Sequence, residues 1–434
     1  MSGPVVLGGG LTGLVAGERL AARGVAAPVV EREAEAGGVC RSIEADGFTF
    51  DLTGHLLHTR DGRTEAYLRT LGVWDRLAVH ERRAAVVVGG RFAPYPVQIN
   101  THALAPEVRR DCLLGFVRAW AAGEPEEAPD SFARWVLDRF GEGLARHFFF
   151  PYNRKLFRIE PEALTADWTG RYVPRPALEA VIDGALGLHR GAVGYNATFR
   201  YPARGGIRML PDAVAARVPD LRTGEAVVRL SLRERWLELA GGERIGWDRL
   251  GATCPLPALL DMVAEPLPEE VAAARRALRW VAVLDVALGV EGDAPRPEHW
   301  LYFPDPALPF YRVGFPSNHG RLAPPGCHTV SIEVALDPAP QATGAVADRA
   351  VAALAEIGLL DPGRIRVRRT LLVDPAYVVH DAAWRTAVPV LRRFLARHDV
   401  RTAGRWGAWA YTAMEDAILE GFELAAWLAG EAAG

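Results

Sequence analysis

The amino-acid sequence predicts an α/β fold with an inserted helical unit and an antiparallel β-sheet, and three patterns lead to this prediction. A strand, a glycine-rich turn and a helix open the chain at residues 5–20. Apolar residues recur at helical spacing over residues 104–150, where Asp130-Ser131 can cap the second of two helices. Several apolar and alternating runs between residues 279 and 335 are typical of β-strands.

The opening segment has the spacing of a dinucleotide-binding turn. The apolar run 5–7 meets Gly8-x-Gly10-x-x-Gly13 and continues as a helix, and a second strand over residues 28–30 ends at Glu31. Because strand, turn, helix and acid occur in this order, the sequence predicts a Rossmann-type domain. A glycine-rich turn in an ordinary α/β domain is the alternative interpretation.

Each residue of this pattern has a separate physical role. Gly8 permits the tight turn, Gly10 lets the backbone approach a diphosphate, and Gly13 lets the helix pack closely on the strand. The phosphates would lie at the helix N-terminus, where free N–H groups and the helix dipole favour negative charge. Glu31 would accept hydrogen bonds from the ribose hydroxyls.

Length, composition and charge bound the class of protein. The 434 residues can form one large composite domain or two to three smaller ones. Hydrophobic residues make up 50% and charged residues 24%, as in ordinary soluble proteins, and the net charge of −3 argues against nucleic-acid binding. No run of about 18 apolar residues and no targeting segment is visible, so we expect neither a membrane span nor a secretion signal.

The cysteines predict a reducing environment. They are far apart and lack metal-ligand spacing: Cys40, Cys112, Cys254 and Cys327. We therefore expect buried, reduced thiols in a cytoplasmic protein that holds no metal.

A glycine pair follows the acid, in the segment Gly-Gly-Val-Cys-Arg-Ser at residues 37–42. The pair would let backbone wrap a diphosphate, and Arg41 would neutralise its charge. A simple hairpin turn is the alternative. The glycine pattern, the acid and this segment together resemble the large group of FAD proteins that includes amine oxidases, protoporphyrinogen oxidases and UDP-galactopyranose mutases.

Further segments resemble the UDP-galactopyranose mutases in particular and occur in the same chain order. They are residues 53–59, 91–101, 151–158, 305–313 and 374–381. Residues 403–418 resemble the second FAD element of the whole group, in which an arginine and a helix N-terminus contact the cofactor. Two cofactor elements at opposite ends of the chain support each other.

The resemblance implies FAD as the cofactor. His55 would lie against the flavin ring, where a polar side chain can tune the electronics of the ring. A buried histidine satisfied by its neighbours is the alternative interpretation. The implied cofactor contacts are Gly8, Gly10, Gly13, Glu31, Gly38, Arg41, His55, Val228, Thr253, Gly404, Arg405, Met414 and Ala417.

The resemblance also implies the catalytic residues, namely His55, Arg312, Arg175 and Tyr377. Arg312 would hold the diphosphate of a substrate, since a planar guanidinium suits two-point phosphate contact. Arg175 and Tyr377 would contact the same phosphates. A solvated surface position is the alternative for both arginines.

Three more aromatic residues complete the implied substrate contacts, namely Tyr152, Phe157 and Tyr311. Phe157 stands where the mutases have a tryptophan beside the uracil. Phenylalanine keeps an aromatic face for stacking and loses the indole donor, which leaves the choice of base open.

The implied function is pyranose–furanose isomerisation of a nucleotide-activated sugar, with N5 of the reduced flavin as the nucleophile and NAD(P)H as one candidate electron donor. Such enzymes act in polysaccharide or natural-product biosynthesis. An FAD-dependent oxidoreductase acting on a sugar, an amine or another small molecule is the alternative, and a non-catalytic FAD scaffold is a third hypothesis. The sequence leaves the sugar, the base and the oligomeric state open, including a homodimer.

The same resemblance divides the chain into parts. A Rossmann-type FAD-binding domain would comprise residues 1–90, 191–270 and 386–434. A mostly helical inserted domain would comprise residues 91–190, and an antiparallel β-sheet substrate domain residues 271–385.

Overall fold

A computed structural model describes residues 3–123, 129–169, 173–188 and 197–431. Parts of the predicted helical insertion, residues 124–128, 170–172 and 189–190, lie outside these ranges. The described residues form eighteen β-strands: β1 (Gly3–Leu7), β2 (Val29–Val30), β3 (Ser42–Ala45), β4 (Phe48–Asp51), β5 (Leu77–Glu81), β6 (Ala84–Val88), β7 (Arg91–Pro94), β8 (Thr198–Pro202), β9 (Leu221–Arg222), β10 (Val227–Ser231), β11 (Trp236–Leu239), β12 (Arg244–Ala252), β13 (Trp280–Glu291), β14 (Trp300–Tyr302), β15 (Arg312–Gly314), β16 (Cys327–Leu336), β17 (Ile365–Val378) and β18 (Val400–Thr402).

The same residues form thirteen α-helices: α1 (Leu11–Ala21), α2 (Gly62–Thr70), α3 (Pro106–Ala121), α4 (Phe132–Leu144), α5 (Phe150–Phe157), α6 (Leu178–Leu186), α7 (Met209–Ala215), α8 (Leu256–Asp261), α9 (Glu269–Ala277), α10 (Thr343–Glu356), α11 (Ala382–Ala396), α12 (Gly404–Gly407) and α13 (Met414–Leu428). A π-helical turn, Ala145–Phe149, joins α4 to α5. Short 3-10 helices occur at Trp74–Arg76, Val97–Ile99, Thr101–Ala103, Pro316–Asn318 and Pro362–Arg364. Within the described ranges, no helix combines the length and apolarity that crossing a membrane requires.

The first sheet has seven strands and a parallel core in the order β18-β12-β1-β2-β9. Strands β10 and β11 extend the N-terminal half of β12 as an antiparallel meander. Val6 of β1 packs into the core beneath α1 and α13, whereas Val5 and Leu7 pack into the core with α9 and α11 on the opposite face. Because both faces are covered by helices, the strand is a continuous apolar run. The predicted Rossmann-type α/β fold is confirmed.

The second sheet also has seven strands, in the order β17-β13-β16-β15-β14-β6-β7. Its pairings are antiparallel except between β14 and β6. The hairpin β6–β7 belongs to this sheet by its pairing, and the boundary that the sequence suggested at residue 90 falls inside its turn. The chain therefore enters the second sheet at β6, before the helical unit begins.

The helical unit is held together by close contact between α3 and α4. A Cβ atom added at Gly143 would lie 2.1 Å from the carbonyl oxygen of Asp111, and one at Gly141 would lie 2.1 Å from that of Gly115. Ser131 caps α4 as predicted, because its hydroxyl accepts a hydrogen bond of 3.2 Å from the N–H of Arg134. Glycines allow the two helix backbones to touch at this crossing.

Replacing Gly143 with alanine tests this crossing. The added methyl group meets backbone and not a flexible side chain, so the helices must separate, at a cost of about 1–3 kcal/mol in the free energy of unfolding. We expect a lower thermal midpoint for Gly143→Ala. Gly344→Ala in the exposed first turn of α10 is the matched control, since its Cβ has no neighbour within 4 Å. Equal midpoints for the two variants would contradict the role of this contact.

Candidate active site

A cavity of about 700 Å³ lies where the two sheets and the helical unit meet. Its volume is typical of a small-molecule site. Loops and helices next to the first sheet contribute residues 10–12, 37–40, 404–406 and 411–417. The second sheet and its flanks contribute Val283, Tyr302, Tyr311, Arg312, Glu333 and Tyr377, and the helical unit contributes Phe148, Phe149, Tyr152, Asn153 and Trp168.

The glycine-rich turn forms one wall of the cavity. Gly8 has a φ of +108°, and a Cβ on Gly13 would lie 1.9 Å from the carbonyl oxygen of Gly8. Gly10, by contrast, lines the cavity, and a Cβ there would meet no atom of the described residues within 4 Å. The protein's own packing therefore does not require glycine at position 10. A glycine at position 10 is explained by a ligand that comes close to the backbone there.

The C-terminal element completes the same wall. Gly404 has a φ of +77°, and a Cβ there would lie 2.8 Å from the hydroxyl of Thr12. Its N–H donates to Oε2 of Glu420 at 2.5 Å, which anchors the turn to α13. Met414 and Ala417 line the cavity from the first turn of α13. The N-termini of α1 and α13 thus lie at one wall and provide the positive ends of two helix dipoles.

The acid at the end of β2 is held by backbone groups. Oε2 of Glu31 accepts a hydrogen bond from the N–H of Gly9 at 2.7 Å, and Oε1 accepts one from the N–H of Glu33 at 2.9 Å. Gly38 lines the cavity with a φ of +58°. Arg41 folds back onto this loop, where its Nε donates to the carbonyl of Gly38 at 2.8 Å. Arg41 therefore shapes the loop, and its described contacts are all with backbone.

Two further predicted cofactor residues lie in different settings. Thr253 lines the cavity and its hydroxyl donates to the carbonyl of Gly8 at 3.0 Å, so it supports the turn. Val228 lies on the outer strand of the meander, 47% exposed, and does not line the cavity. The chain just before it is near Glu31, because the N–H of Glu225 donates to the carbonyl of that residue at 2.9 Å.

Several cavity-lining side chains carry buried polar atoms that make no hydrogen bond within the described structure. They are the indole N–H groups of Trp168 and Trp406, the hydroxyl of Thr412 and the amide oxygen of Gln98. A buried polar group without a partner costs about 1–3 kcal/mol. Unpaired groups, the open space at Gly10 and two helix N-termini together fit a polar ligand with a diphosphate, as in FAD.

Arg312 and Glu333 form the charged part of the cavity. Nε and Nη2 of Arg312 donate to Oε1 of Glu333 at 3.0 and 2.6 Å, and the hydroxyl of Tyr311 donates to the other oxygen of that carboxylate. The side chain of Arg312 is 21% exposed and that of Glu333 is 3% exposed. Sequence reasoning found the arginine and missed its counter-ion. The signal was a single acid inside the apolar strand Thr329–Val334.

A cluster of tyrosines surrounds this pair and is called the tyrosine cluster below: Tyr152, Tyr302, Tyr311, Tyr377 and Tyr411. Ring centroids of neighbouring members lie 5.4–6.5 Å apart, with Tyr152 5.4 Å from Tyr302 and Tyr311 6.5 Å from Tyr377. Burial raises the pKa of Tyr152 and Tyr311 well above the ordinary value, so their hydroxyls stay protonated and donate. The cluster places neutral hydroxyl groups beside two cations, Arg312 and Arg405.

His55 and Arg405 lie between the glycine-rich wall and the tyrosine cluster. Burial lowers the pKa of His55 to about 4, so its imidazole is neutral at pH 7. Its Nδ1 lies 3.4 Å from the carbonyl of Thr53. Arg405 donates to the carbonyl of Thr412 at 2.8 Å, and its guanidinium lies 5.2 Å from the ring centroid of Tyr377.

Phe157 differs from its predicted role as the residue that stacks on a base. Its side chain is 2% exposed, lies in the core and does not line the cavity. Trp168, whose ring centroid lies 5.4 Å from that of Phe157, occupies the cavity wall and stacks on Phe132. Phe157 is the last residue of α5, and its side chain packs in the same hydrophobic core as Leu164. Sequence reasoning did not single out Trp168.

Arg175 lies at the cavity wall but is tied to α3. Its Nη2 donates to the carbonyl of Ala119 at 3.1 Å, and its guanidinium lies 4.7 Å from the ring centroid of Trp120. The structure therefore brings Arg312, Tyr311, Tyr377 and Tyr152 together and holds Arg175 against the helical unit. No group of three metal-binding side chains occurs in the described ranges.

Comparison with known proteins decides the family. The sequence model of the flavin-containing amine oxidoreductases matches residues 11–426. The chain belongs to this family. It is therefore a flavoenzyme of the amine oxidase superfamily, and the family supports FAD as its cofactor.

Several proteins of known structure share the fold of this chain over nearly its whole length. Reduced UDP-galactopyranose mutase superposes with a TM-score of 0.91 at 27% identity, covering 99% of this chain and 94% of that one. A candidate protoporphyrinogen oxidase from Exiguobacterium sp. 255-15 gives 0.71 at 14% identity, with 98% of each chain covered. A double mutant of putrescine oxidase gives 0.65 at 15% identity, with 99% of each covered. The predicted resemblance to the mutases within the wider group is confirmed.

Gly10→Ala tests whether this flavoenzyme holds its dinucleotide at the turn. Because the new methyl group meets no protein atom, we expect the apoprotein to unfold at the wild-type temperature. The methyl group would occupy the space of the diphosphate, so FAD affinity should fall about tenfold or more, which is about 1.4 kcal/mol. Flavin-to-protein absorbance after gel filtration measures this. Gly13→Ala is the contrasting variant, since it should lower the stability of the apoprotein itself. Full flavin content in Gly10→Ala would refute the assignment.

Proposed function

We propose that this flavoenzyme interconverts pyranose and furanose forms of a nucleotide-activated sugar while its FAD is reduced. The observation that carries the proposal is Arg312, a half-buried cation that lines the same cavity as the glycine-rich turn and lies within the tyrosine cluster. The likeness to reduced UDP-galactopyranose mutase over the whole chain supports it. Reduced flavin would supply a nucleophilic nitrogen at the sugar, and NAD(P)H is the proposed source of the electrons.

The residues of this chain would act on the leaving diphosphate. Arg312 would stabilise the negative charge that develops when the bond between sugar and diphosphate breaks, because a preorganised cation in a water-poor site needs no rearrangement. Hydroxyls of Tyr152 and Tyr377 would donate to the same oxygens, since both are protonated at neutral pH. These contacts would also hold the diphosphate in place until the sugar has changed ring size.

His55 would act as a neutral hydrogen-bonding group beside the flavin. With a pKa lowered by burial to about 4, it carries no charge that would stabilise an anionic ring. Its carbonyl partner at Thr53 orients the imidazole. This arrangement favours a role in positioning over one in proton transfer at neutral pH.

An oxidoreductase is the second candidate, and the segment Gly37-Gly38-x-x-Arg41-Ser42 together with the family match favours it. The neutral tyrosine cluster could equally hold a small polar substrate whose hydride passes to oxidised flavin. The two candidates differ in whether turnover changes the oxidation state of the flavin.

Turnover under controlled redox conditions separates them. Two samples of purified holoprotein, one reduced by dithionite and one left oxidised, are incubated anaerobically with UDP-, GDP- and dTDP-hexoses, and products are resolved by chromatography. The proposal predicts a ring isomer of one sugar nucleotide, formed only with reduced flavin. Net oxidation of substrate with bleaching of oxidised flavin, and no isomer in any mixture, would replace it with the second candidate.

Arg312→Lys tests the anion site. A lysine keeps one positive charge but loses the planar fork, so we expect kcat/KM to fall about 100-fold for the sugar nucleotide that reacts. The flavin content should stay at the wild-type level. The exposed Arg233→Lys is the matched control and should retain wild-type kinetics. A loss below about twofold in Arg312→Lys would contradict the assignment.

Trp168→Leu and Phe157→Leu test which aromatic residue meets the nucleotide. Because Trp168 lines the cavity and Phe157 does not, only the first substitution should weaken UDP binding, by about tenfold for a lost stacking contact. Phe157→Leu should lower the thermal midpoint and leave the dissociation constant unchanged. Isothermal titration calorimetry of the oxidised holoproteins gives the UDP dissociation constant of each variant. Weaker UDP binding in Phe157→Leu alone would show that Phe157, the residue expected from sequence, contacts the nucleotide.

A further inference from the structure

A second, smaller cavity of about 80 Å³ lies behind Arg312 and Glu333. It shares residues 53–56, Trp300 and the Arg312–Glu333 pair with the large cavity. Asp285 lines the small cavity only. The ion pair therefore forms part of the partition between the two cavities, with a second buried acid on its far side.

The β-sheet register brings the three charged residues into one row. Asp285 on β13 pairs directly with Glu333 on β16, and Glu333 pairs directly with Arg312 on β15. Directly paired residues point to the same face of a sheet, with Cβ atoms about 4.5–5.5 Å apart. Asp285 is fully buried, and its oxygens accept hydrogen bonds from the hydroxyl of Ser331 at 2.9 Å and the N–H of Thr53 at 3.2 Å.

The row contains two carboxyl groups and one cation. The pKa of Asp285 is raised, chiefly by burial and secondly by the nearby charge of Glu333. This side chain therefore holds a proton at a pH where an exposed acid would not. The histidines beside the row add no positive charge at neutral pH, because burial lowers the pKa of His55 and of His299 to about 4 and that of His319 well below its ordinary value. Two more cations lie farther out: Arg83, with Nη2 at 3.3 Å from Nε2 of His299, and Arg405, which lies against Tyr377. The other facing groups are Asp51, Tyr201 and Tyr311.

We propose that Asp285 is a proton-dependent positioning residue for the anion site at Arg312. While Asp285 is protonated, Arg312 faces one carboxylate and keeps enough positive field to bind a phosphate group. When Asp285 loses its proton to solvent, two carboxylates face one guanidinium, the row as a whole becomes negative, and the affinity for an anion falls. This inference rests on the proposed function only in its choice of a diphosphate as the anion.

The sign of the pH dependence follows from this charge count. An anion at Arg312 favours the protonated form of Asp285, so binding takes up protons in the pH range where this group titrates. The dissociation constant therefore rises with pH in the wild type. The side-chain amide of the variant Asp285→Asn cannot ionise, so the dissociation constant of this variant should stay flat over the same range.

The experiment is calorimetric titration of oxidised holoprotein with UDP-galactose between about pH 6.5 and 9.5, where its diphosphate stays ionised. We expect the wild-type dissociation constant to rise at least about fivefold and that of Asp285→Asn to change less than about twofold. Asp51→Asn is the matched control, since it removes another buried acid of the small cavity outside the row. It should keep the wild-type pH dependence. Equal pH dependence in the wild type and Asp285→Asn would overturn the proposal.

Ser331→Ala provides a second variant with an independent prediction. Its hydroxyl stabilises ionised Asp285, so its loss should move the fall in affinity to higher pH. A purely structural role would not move the midpoint in that direction, and an unchanged midpoint would count against the proposal.

Infrared difference spectroscopy of wild type and Asp285→Asn at pH 7 tests the proton without a ligand. A carbonyl band of a protonated carboxylic acid should be present in the wild type and absent from the variant. If UDP-galactose does not bind the wild type, the proposed function fails and this band still decides the protonation of Asp285. No difference in the band would overturn the inference.

Discussion

The contact between α1 and α13 is the constraint on which the rest of the structure depends. A Cβ on Gly421 of α13 would lie 2.7 Å from the side chain of Val15 and 2.9 Å from the carbonyl oxygen of Thr12, both in α1, so the two helices are in close contact. Residues from opposite ends of the chain therefore hold two helix N-termini at one wall of the cavity. A dinucleotide bound there would bridge both elements, which links cofactor binding to the closure of the whole chain.

The second sheet contributes charged residues that line the same cavity. Its strands are paired so that Asp285, Glu333 and Arg312 lie in register, with the tyrosine cluster around the exposed end of the row. Burying such charges costs several kcal/mol for each ion unless they are paired. The row therefore adds little to stability and is better explained by recognition of an anion. The same geometry supports the mutase proposal. It also restricts how Arg312 would meet a phosphate, because two of the guanidinium's donors already bind Glu333.

Local patterns predicted most of the first sheet and only part of the site. Gly8, Gly10 and Gly13 were predicted because each position has its own reason for glycine. Gly8 has a positive φ, Gly10 leaves space for a ligand, and Gly13 lies against the backbone of Gly8. Arg312 was predicted from its neighbours in the chain, the segment 305–313 that resembles the mutases. Phe157 was predicted to contact a base, but a short motif does not fix which way a side chain on a helix points. In the structure Phe157 lies in the core, and Trp168 lines the cavity. Asp285 and Glu333 required strand register, which depends on pairing between segments about fifty residues apart.

Binding of FAD and FMN to the deflavinated protein tests the central claim most directly. Quenching of flavin fluorescence gives both affinities in one titration. If the two helix N-termini and the acid at the end of β2 hold a dinucleotide, FAD binds at one molecule per chain and FMN, which lacks the adenosine half, binds much more weakly. Equal affinity for the two flavins, or no binding of either, would contradict the account.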